Sequence, residues 1–421
     1  MKRSLFALTG ALAFALTASV TSAHAASITP DQVSTGFSGT AYGSYIFNTD
    51  KTLTSGPTAS ASVACTNATG KTSTNTATGI NVPAVGTVGN ASTSVKSLLT
   101  STGKRLESRS TINGANLLGG LITAGAITSE SIAEKSTAGT YSGTNTTNIS
   151  NLKVLGAAVN ANPGPNTVID LKAPVVGSVG KVTLNGQVKR LVNGTYQVWT
   201  TAIRVEILKA GLPGLNVGTD IRLGVTTANL TAPQAGYLSG TGFGTRATLA
   251  TGIIGSSPTA LAYVGCSGGT TTVNAAGVTI PAVASTGTIS TTATGALTPE
   301  LKSTVTNNVA GLKILNSLIQ ADAIKAETSA SRPTAGGAVK LTDTSSFTNL
   351  KITGLPNINA SVPPNTVVQV PGLGTVTLHK VSKSSTAIIV VMVDVVLNQP
   401  LGALPTGSRI QVGYSSTSIT S

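Results

Sequence analysis

Short runs of alternating apolar and polar residues recur along this chain. Val182-Thr-Leu184 and Val376-Thr-Leu378 alternate, and so does Ile203-Arg-Val-Glu-Ile207, which places Arg204 and Glu206 on one face. Turn residues separate the runs at short intervals, as at Pro163-Gly164, Asn185-Gly186 and Pro371-Gly372. This rhythm predicts strands in a sandwich or barrel, with Asn185-Gly186 as a two-residue hairpin turn. Strand, turn, strand is expected over 116–128 and 312–325, because Gly119-Gly120 breaks the apolar run of the first segment. Thr298-Pro299-Glu300 resembles a helix start, and Leu301, Val305, Val309 and Leu312 recur near helical spacing, so a short helix is an alternative at 298–309.

The patterns occur twice. "SGTAYG" (38–43) returns as "SGTGFG" (239–244), and "SVACT" (62–66) returns as "YVGCS" (263–267). "INVPAV" (80–85) meets "VTIPAV" (278–283), and "NLLGGLITAGAI" (116–127) meets "LKILNSLIQADAI" (312–324). "NLKVLG" (151–156) meets "NLKITG" (349–354), and "PNTVIDL" (165–171) meets "PNTVVQV" (364–370). "VGKVTL" (179–184) and "VGTDIRLGV" (217–225) find partners in "LGTVTL" (373–378) and "TGSRIQVGY" (406–414). So many matches in one order point to an internal duplication. A repeat this long suits two globular domains better than a solenoid. The expected fold is all-β, with two tandem, similar β-sandwich-like domains over 26–231 and 232–421.

Residues 1–25 read as a signal peptide. Lys2 and Arg3 precede an apolar run that ends at Ala23-His24-Ala25, an A-x-A cleavage site. That predicts export, to the extracellular space or the cell envelope. No later apolar run reaches the length of a membrane-spanning helix. Of the 421 residues, 10% are charged and 3% aromatic, and the net charge is +14. Val, Ile, Leu and Ala must therefore build the core. The basic residues are scattered, which suits a general solubility charge or attraction to an anionic cell-wall polymer or glycan. No basic stripe interleaves with stacking aromatics, so nucleic acid is not an expected partner.

Little in the inventory carries chemistry. Once His24 leaves with the leader, His379 is the remaining histidine, read here as a polar residue at a strand end. Multi-ligand His/Cys metal sites are thereby excluded, and no D-x-D-x-D loop suggests calcium. No phosphate-binding glycine motif appears, and no cofactor is expected. Two carboxylate pairs, Glu130 with Glu327 and Glu206 with Asp394, fall at matching places in the two copies. Facing a cleft, such a pair could hydrolyse a glycoside. The plainer reading puts Glu206 and Asp394 on solvent-facing strands and Glu130 and Glu327 in turns after a strand. "ALPTG" (403–407) lacks the residue between Pro and Thr that a sortase signal needs, and reads as a turn. The Thr-rich tracts 71–79 and 285–295 lack the short repeat of an ice-binding array and read as exposed strands and loops. Too few aromatics are present for the girdles of an outer-membrane barrel.

Cys65 and Cys266 are the two cysteines, one in each copy, 201 positions apart. In an exported chain an even number suggests a disulfide. Equivalent residues lie equally far from a pseudo-twofold axis, so this pair could meet across a junction between the domains. Two buried thiols in separate cores is the alternative. Catalysis by either thiol is not expected, since no histidine sits at a partner position.

In "NLLGGLITAGAITSES", "NLKVLG", "NPGPNTVIDL", "GKVTLNGQV" and "VWTTAIRVEIL", with "QADAI" (320–324) and "PNTVVQVPGLGTVTL" (364–378) in the second copy, the chain resembles the choice-of-anchor P family of secreted bacterial proteins. The resemblance implies export and surface or extracellular residence. It supplies no catalytic or ligand-binding residues. The expected function is an exported, non-enzymatic structural or adhesive protein. The alternative is a binding module for an anionic cell-wall polymer or glycan, and glycoside hydrolysis is a remote third.

Overall fold

Alternating side chains produce strands throughout the computed structural model. It describes residues 29–47, 53–55, 57–82, 84–173, 176–248, 254–256, 258–277, 279–280, 284–314, 317–353, 362–401 and 404–420. The expected signal peptide, 1–25, lies outside the described residues. The chain is all-β, and its described residues form four antiparallel sheets of seven, nine, seven and nine strands.

In the first half the seven-stranded sheet runs Thr167–Ala173, Gly177–Val192, Thr195–Ile207, Asp220–Thr231, Gly36–Phe47 and Leu53–Ser55, with Ala61–Thr66 also paired to Gly36–Phe47. In the second half the order is Thr366–Val370, Gly374–Lys383, Ala387–Leu397, Arg409–Thr420, Tyr237–Thr248 and Ile254–Ser256, with Ala262–Tyr263 again off the path. Each nine-stranded sheet is centred on a long hairpin, Gly103–Leu117 with Ile122–Ser136 and Glu300–Ile314 with Ile319–Pro333. Both hairpins turn where the sequence predicts it. These hairpins pack against the seven-stranded sheets.

Between the layers the core is divided. Ile112, Leu117, Ile122, Ile127, Leu184, Ile203, Val205 and Ile221 form one apolar cluster of the first half, and Phe37, Val95, Leu106, Val198 and Leu230 form a second. A belt of fully buried hydroxyls lies near these clusters. Ser108 Oγ donates to Thr227 O at 2.7 Å, Ser110 Oγ to Tyr42 O at 3.1 Å, and Ser131 Oγ lies 2.8 Å from both Thr200 Oγ1 and Thr226 Oγ1. The second half repeats the device, with Ser303 Oγ donating to Ser239 O and Ser415 Oγ to Val305 O, each at 2.8 Å. A buried hydroxyl left without a partner costs about 1 to 3 kcal/mol. Here they bond across to the facing sheet, where the recurrent glycines make room: a Cβ on Gly39 would lie 2.7 Å from Thr227 O and 2.8 Å from Leu106 Cδ2.

A crease in the hydrogen bonding crosses each seven-stranded sheet. Pairing joins Leu184 to Ile203 and Gly186 to Thr201, skipping Asn185 and Ala202, and then skips Gly224 and Gly43 in the next strands. In the second half the skipped residues are His379, Met392, Gly413 and Gly244. Asn185 and His379 have φ near +50, and Gly224 and Gly413 have φ of 59 and 65. The "PNT" turns hold this crease. Asn166 N donates to Asn185 O and Gln187 N donates to Asn166 Oδ1, both at 2.9 Å. Asn365 does the same with His379 and Val381, at the same distances.

Five expectations are corrected here. Asn185-Gly186 is not a hairpin turn but lies inside the continuous strand Gly177–Val192. Its Asn adopts positive φ because the crease demands it, which mimics a turn signal. No helix forms at 298–309: Glu300–Ile314 is a strand, with Leu301, Ser303, Val305, Asn307 and Val309 all buried at a period of two. A four-residue spacing fits both a strand face and a helix face, and the buried polar residues between the apolar ones decide. Glu130 and Glu327 are not turn residues, because their strands continue to Ser136 and Pro333. His379 is not at a strand end, because its strand continues to Lys383. Asp394 corresponds in register to Arg204 and not to Glu206, since Arg204 faces Thr183 and Asp394 faces Thr377.

Candidate binding site at the junction of the two halves

The halves meet around the disulfide. Cys65 lies in the strand Ala61–Thr66, Cys266 lies just after Ala262–Tyr263, and the two are joined with Cα atoms 5.3 Å apart. Both are 4% exposed and cluster with Tyr237. Tyr237 stands 201 positions after Gly36, and the two touch: a Cβ on Gly36 would fall 2.4 Å from the Tyr237 ring. Two residues 201 positions apart therefore meet beside the bridge. Next to the bridge Tyr263 reaches back into the first half, where it lines the same space as Ser60.

Two depressions open at this junction. The larger, about 380 Å³, is lined by small polar residues such as Ser38, Thr40, Asn229, Ser239 and Thr270. The smaller, about 150 Å³, is lined by Thr40, Tyr42, Tyr45, Pro57, Ser60, Leu261 and Tyr263. Tyr42 and Tyr45 come from the "SGTAYG" strand and sit edge to face, ring centroids 5.8 Å apart, with Phe47 5.2 Å beyond Tyr45. Burial raises the Tyr42 and Tyr45 hydroxyls above the ordinary phenol value, against the pull of Arg222.

Behind the tyrosines is a charged network. The Arg222 guanidinium lies 5.0 Å from the centre of the Phe47 ring and 6.0 Å from that of Trp199. Asp220 binds both Arg222 and Arg204, its Oδ2 accepting at 2.9 Å and 2.7 Å, and Glu206 pairs with Lys181 and Arg204. Burial pushes the Asp220 carboxyl up, and the hydrogen bonds from its two arginines outweigh that, leaving it below the usual carboxylate range. The second half carries the same link with its polarity reversed. There the acid, Asp394, holds the position of Arg204 and binds Arg409 Nη2 and Lys380 Nζ, each at 2.7 Å. Burial again raises its pKa and the two cations outweigh it.

The four carboxylates considered for hydrolysis are not brought together. Glu206, Glu130, Asp394 and Glu327 lie on four different sheets. Glu130 faces Arg109 across its hairpin, and Glu327 accepts from Thr306 and Thr344 and pairs with Lys325. His379 Nε2 instead meets Asp343 Oδ2 at 2.9 Å. That pairing raises the His379 pKa against burial, while burial raises Asp343 and is overcome by His379 and Ser345, which bring it to about 2. Among the described residues no group of three or more His, Cys, Asp or Glu is placed to hold a metal ion. The three tyrosines and Arg222 did not stand out in the sequence. The signal was a difference between the two segments: within "PTASASVAC" and "PTALAYVGC" (57–65, 258–266) every second residue changes from 60 onward, and three of those that change, Ser60, Leu261 and Tyr263, line the small pocket.

No family model and no curated protein matches the chain. Among solved structures it is similar to a chain from Nitrosomonas europaea described as a candidate AttH, at 7% identity over 91% of this chain and 92% of that one. The TM-score of that superposition is 0.13, too low to carry an argument.

Proposed function

We propose that this is an exported, non-enzymatic protein of the cell envelope or extracellular space, structural or adhesive in role, built by duplication of one sandwich. The observation that carries the reading is the disulfide-clamped junction, where the residues both copies share serve packing and turns. Disulfides persist in oxidising compartments, which agrees with the leader-like first 25 residues. The most buried carboxylates, Asp220 and Asp394, are committed to ion pairs and held ionised, the opposite of the raised pKa that a general acid needs. The resemblance to choice-of-anchor P proteins belongs to the same reading.

One observation favours the alternative, attraction to an anionic polymer. Lys96 and Lys153 in the first half, and Lys302, Lys313, Lys340 and Lys351 in the second, are exposed on the nine-stranded sheets. Fractionation of producing cells tests both. Recovery outside the cytoplasm is expected, and release from isolated walls by about 0.5 M salt would mark electrostatic retention. Cytoplasmic recovery would refute export. Full recovery in low-salt medium would leave the structural reading and remove the polymer-binding one.

A further inference from the structure

The geometry points to the smaller junction pocket as a binding site for one neutral pyranose ring of a glycan. The inference rests on the adhesive reading and names what that adhesion would grip. Its volume, about 150 Å³, is on the scale of a single sugar ring. Tyr42, Tyr45 and Tyr263 present phenol rings for the C–H face of such a ring, and the hydroxyls of Thr40 and Ser60 line the same space. Charge argues for a neutral ligand. The cation beside Tyr42 and Tyr45, Arg222, is already held by Asp220 through Nε at 3.1 Å and Nη2 at 2.9 Å, and the cation beside Tyr263, Arg246, is engaged by Gln411 Oε1.

The pocket is one-sided, and this separates it from packing that the two copies simply share. At the paired positions 40/241, 57/258 and 58/259 the copies are identical, Thr, Pro and Thr, and these set the backbone. At 42/243, 45/246, 60/261 and 62/263 they differ: Tyr/Phe, Tyr/Arg, Ser/Leu and Ser/Tyr. The first half thus supplies Tyr42, Tyr45 and the small Ser60, and the second supplies Tyr263 from across the junction. On the matching side, Arg246 lies 4.8 Å from the centre of the Phe243 ring, which stacks on Tyr414 at 4.4 Å. Phe243 and Arg246 stand there at the positions that Tyr42 and Tyr45 hold in the first half.

The test uses the exported chain labelled with 3-fluorotyrosine, so that the seven tyrosines report separately by fluorine NMR. Titration with methyl β-glucopyranoside and with N-acetylglucosamine is expected to shift the signals of Tyr42, Tyr45 and Tyr263 saturably for at least one of them, unchanged by 0.5 M salt. Tyr263→Ser, which installs the first half's residue, should weaken binding at least about tenfold while the melting temperature shows the fold intact. Ser60→Leu, which installs the second half's residue, should block it without removing a tyrosine. Four results would overturn the proposal: no shift with either sugar, shifts spread over all seven tyrosines, binding of p-cresol but of neither sugar, or salt-sensitive binding of glucuronate alone. Wall fractionation reads a different property, so failure of the sugar titration leaves the envelope reading standing.

Discussion

Individual charges in this chain are informative because so few are present. His379 and Asp343 tie the seven-stranded sheet of the second half to its nine-stranded partner, where Asn185 of the first half bonds Pro163 O instead. The raised pKa of His379 stabilises the fold fully below about 6.5, and that contribution is lost as pH rises through the folded value. The depressed Asp343 contributes above its unfolded value of 3.8 and loses it as pH falls toward 2, on the order of 2 kcal/mol. Urea midpoints measured across pH should therefore fall on both sides of a plateau between about 4 and 6.5. In His379→Asn the decline on the alkaline side should disappear. Asp394→Asn leaves Arg409 and Lys380 without their acid. Their side chains are 40% and 43% exposed and can turn to water, so the expected loss is about 1 to 2 kcal/mol, less than for a fully enclosed pair. Chemical denaturation would read it, and a loss above about 4 kcal/mol would contradict this screening.

At the scale of the element, the crease is the feature that repeats most faithfully. It needs a residue at positive φ in each of the two strands that flank a third, and a close glycine in the strand beyond, and both halves meet the need with Asn or His, then Gly, then Gly. A Cβ on Gly224 would sit 3.0 Å from Ala202 Cβ in a backbone region that side chains rarely adopt. Gly224→Ala is expected to cost about 1 to 3 kcal/mol in thermal or urea unfolding. A neutral result would show that the crease relaxes. The "PNT" turn belongs to this element, so Asn166→Ala should destabilise by about 1 kcal/mol through the lost bond from Gln187 N.

For the whole molecule, the bridge between Cys65 and Cys266 closes a loop of 201 residues. On the chain-entropy account such a closure contributes on the order of 5 kcal/mol against a fully unfolded reference. Each half has its own apolar clusters, and the contacts beside the bridge are modest: Tyr237 on Gly36, Tyr263 in the same space as Ser60. Calorimetry of the oxidised chain should show one transition. Cys65→Ser with Cys266→Ser should lower it and separate two. A single undisturbed transition in the double variant would mean that the junction holds without its clamp.

The sequence by itself determined the all-β class, the turn of each long hairpin and the repetition of the pattern, because alternation and turn chemistry act over a few residues. It also narrowed the cysteines to a single candidate pair. Tertiary structure alone decided what local patterns cannot carry. Leu301, Val305 and Val309 suit a helix as well as a strand until pairing with Ile319–Pro333 buries Ser303 and Asn307 between them. Asn185 looks like a turn until the crease places it mid-strand, and Asp394 meets its true counterpart, Arg204, only through the register. The junction pocket depends on residues about 200 positions apart, and only folding across the disulfide brings Tyr263 to Tyr42 and Tyr45.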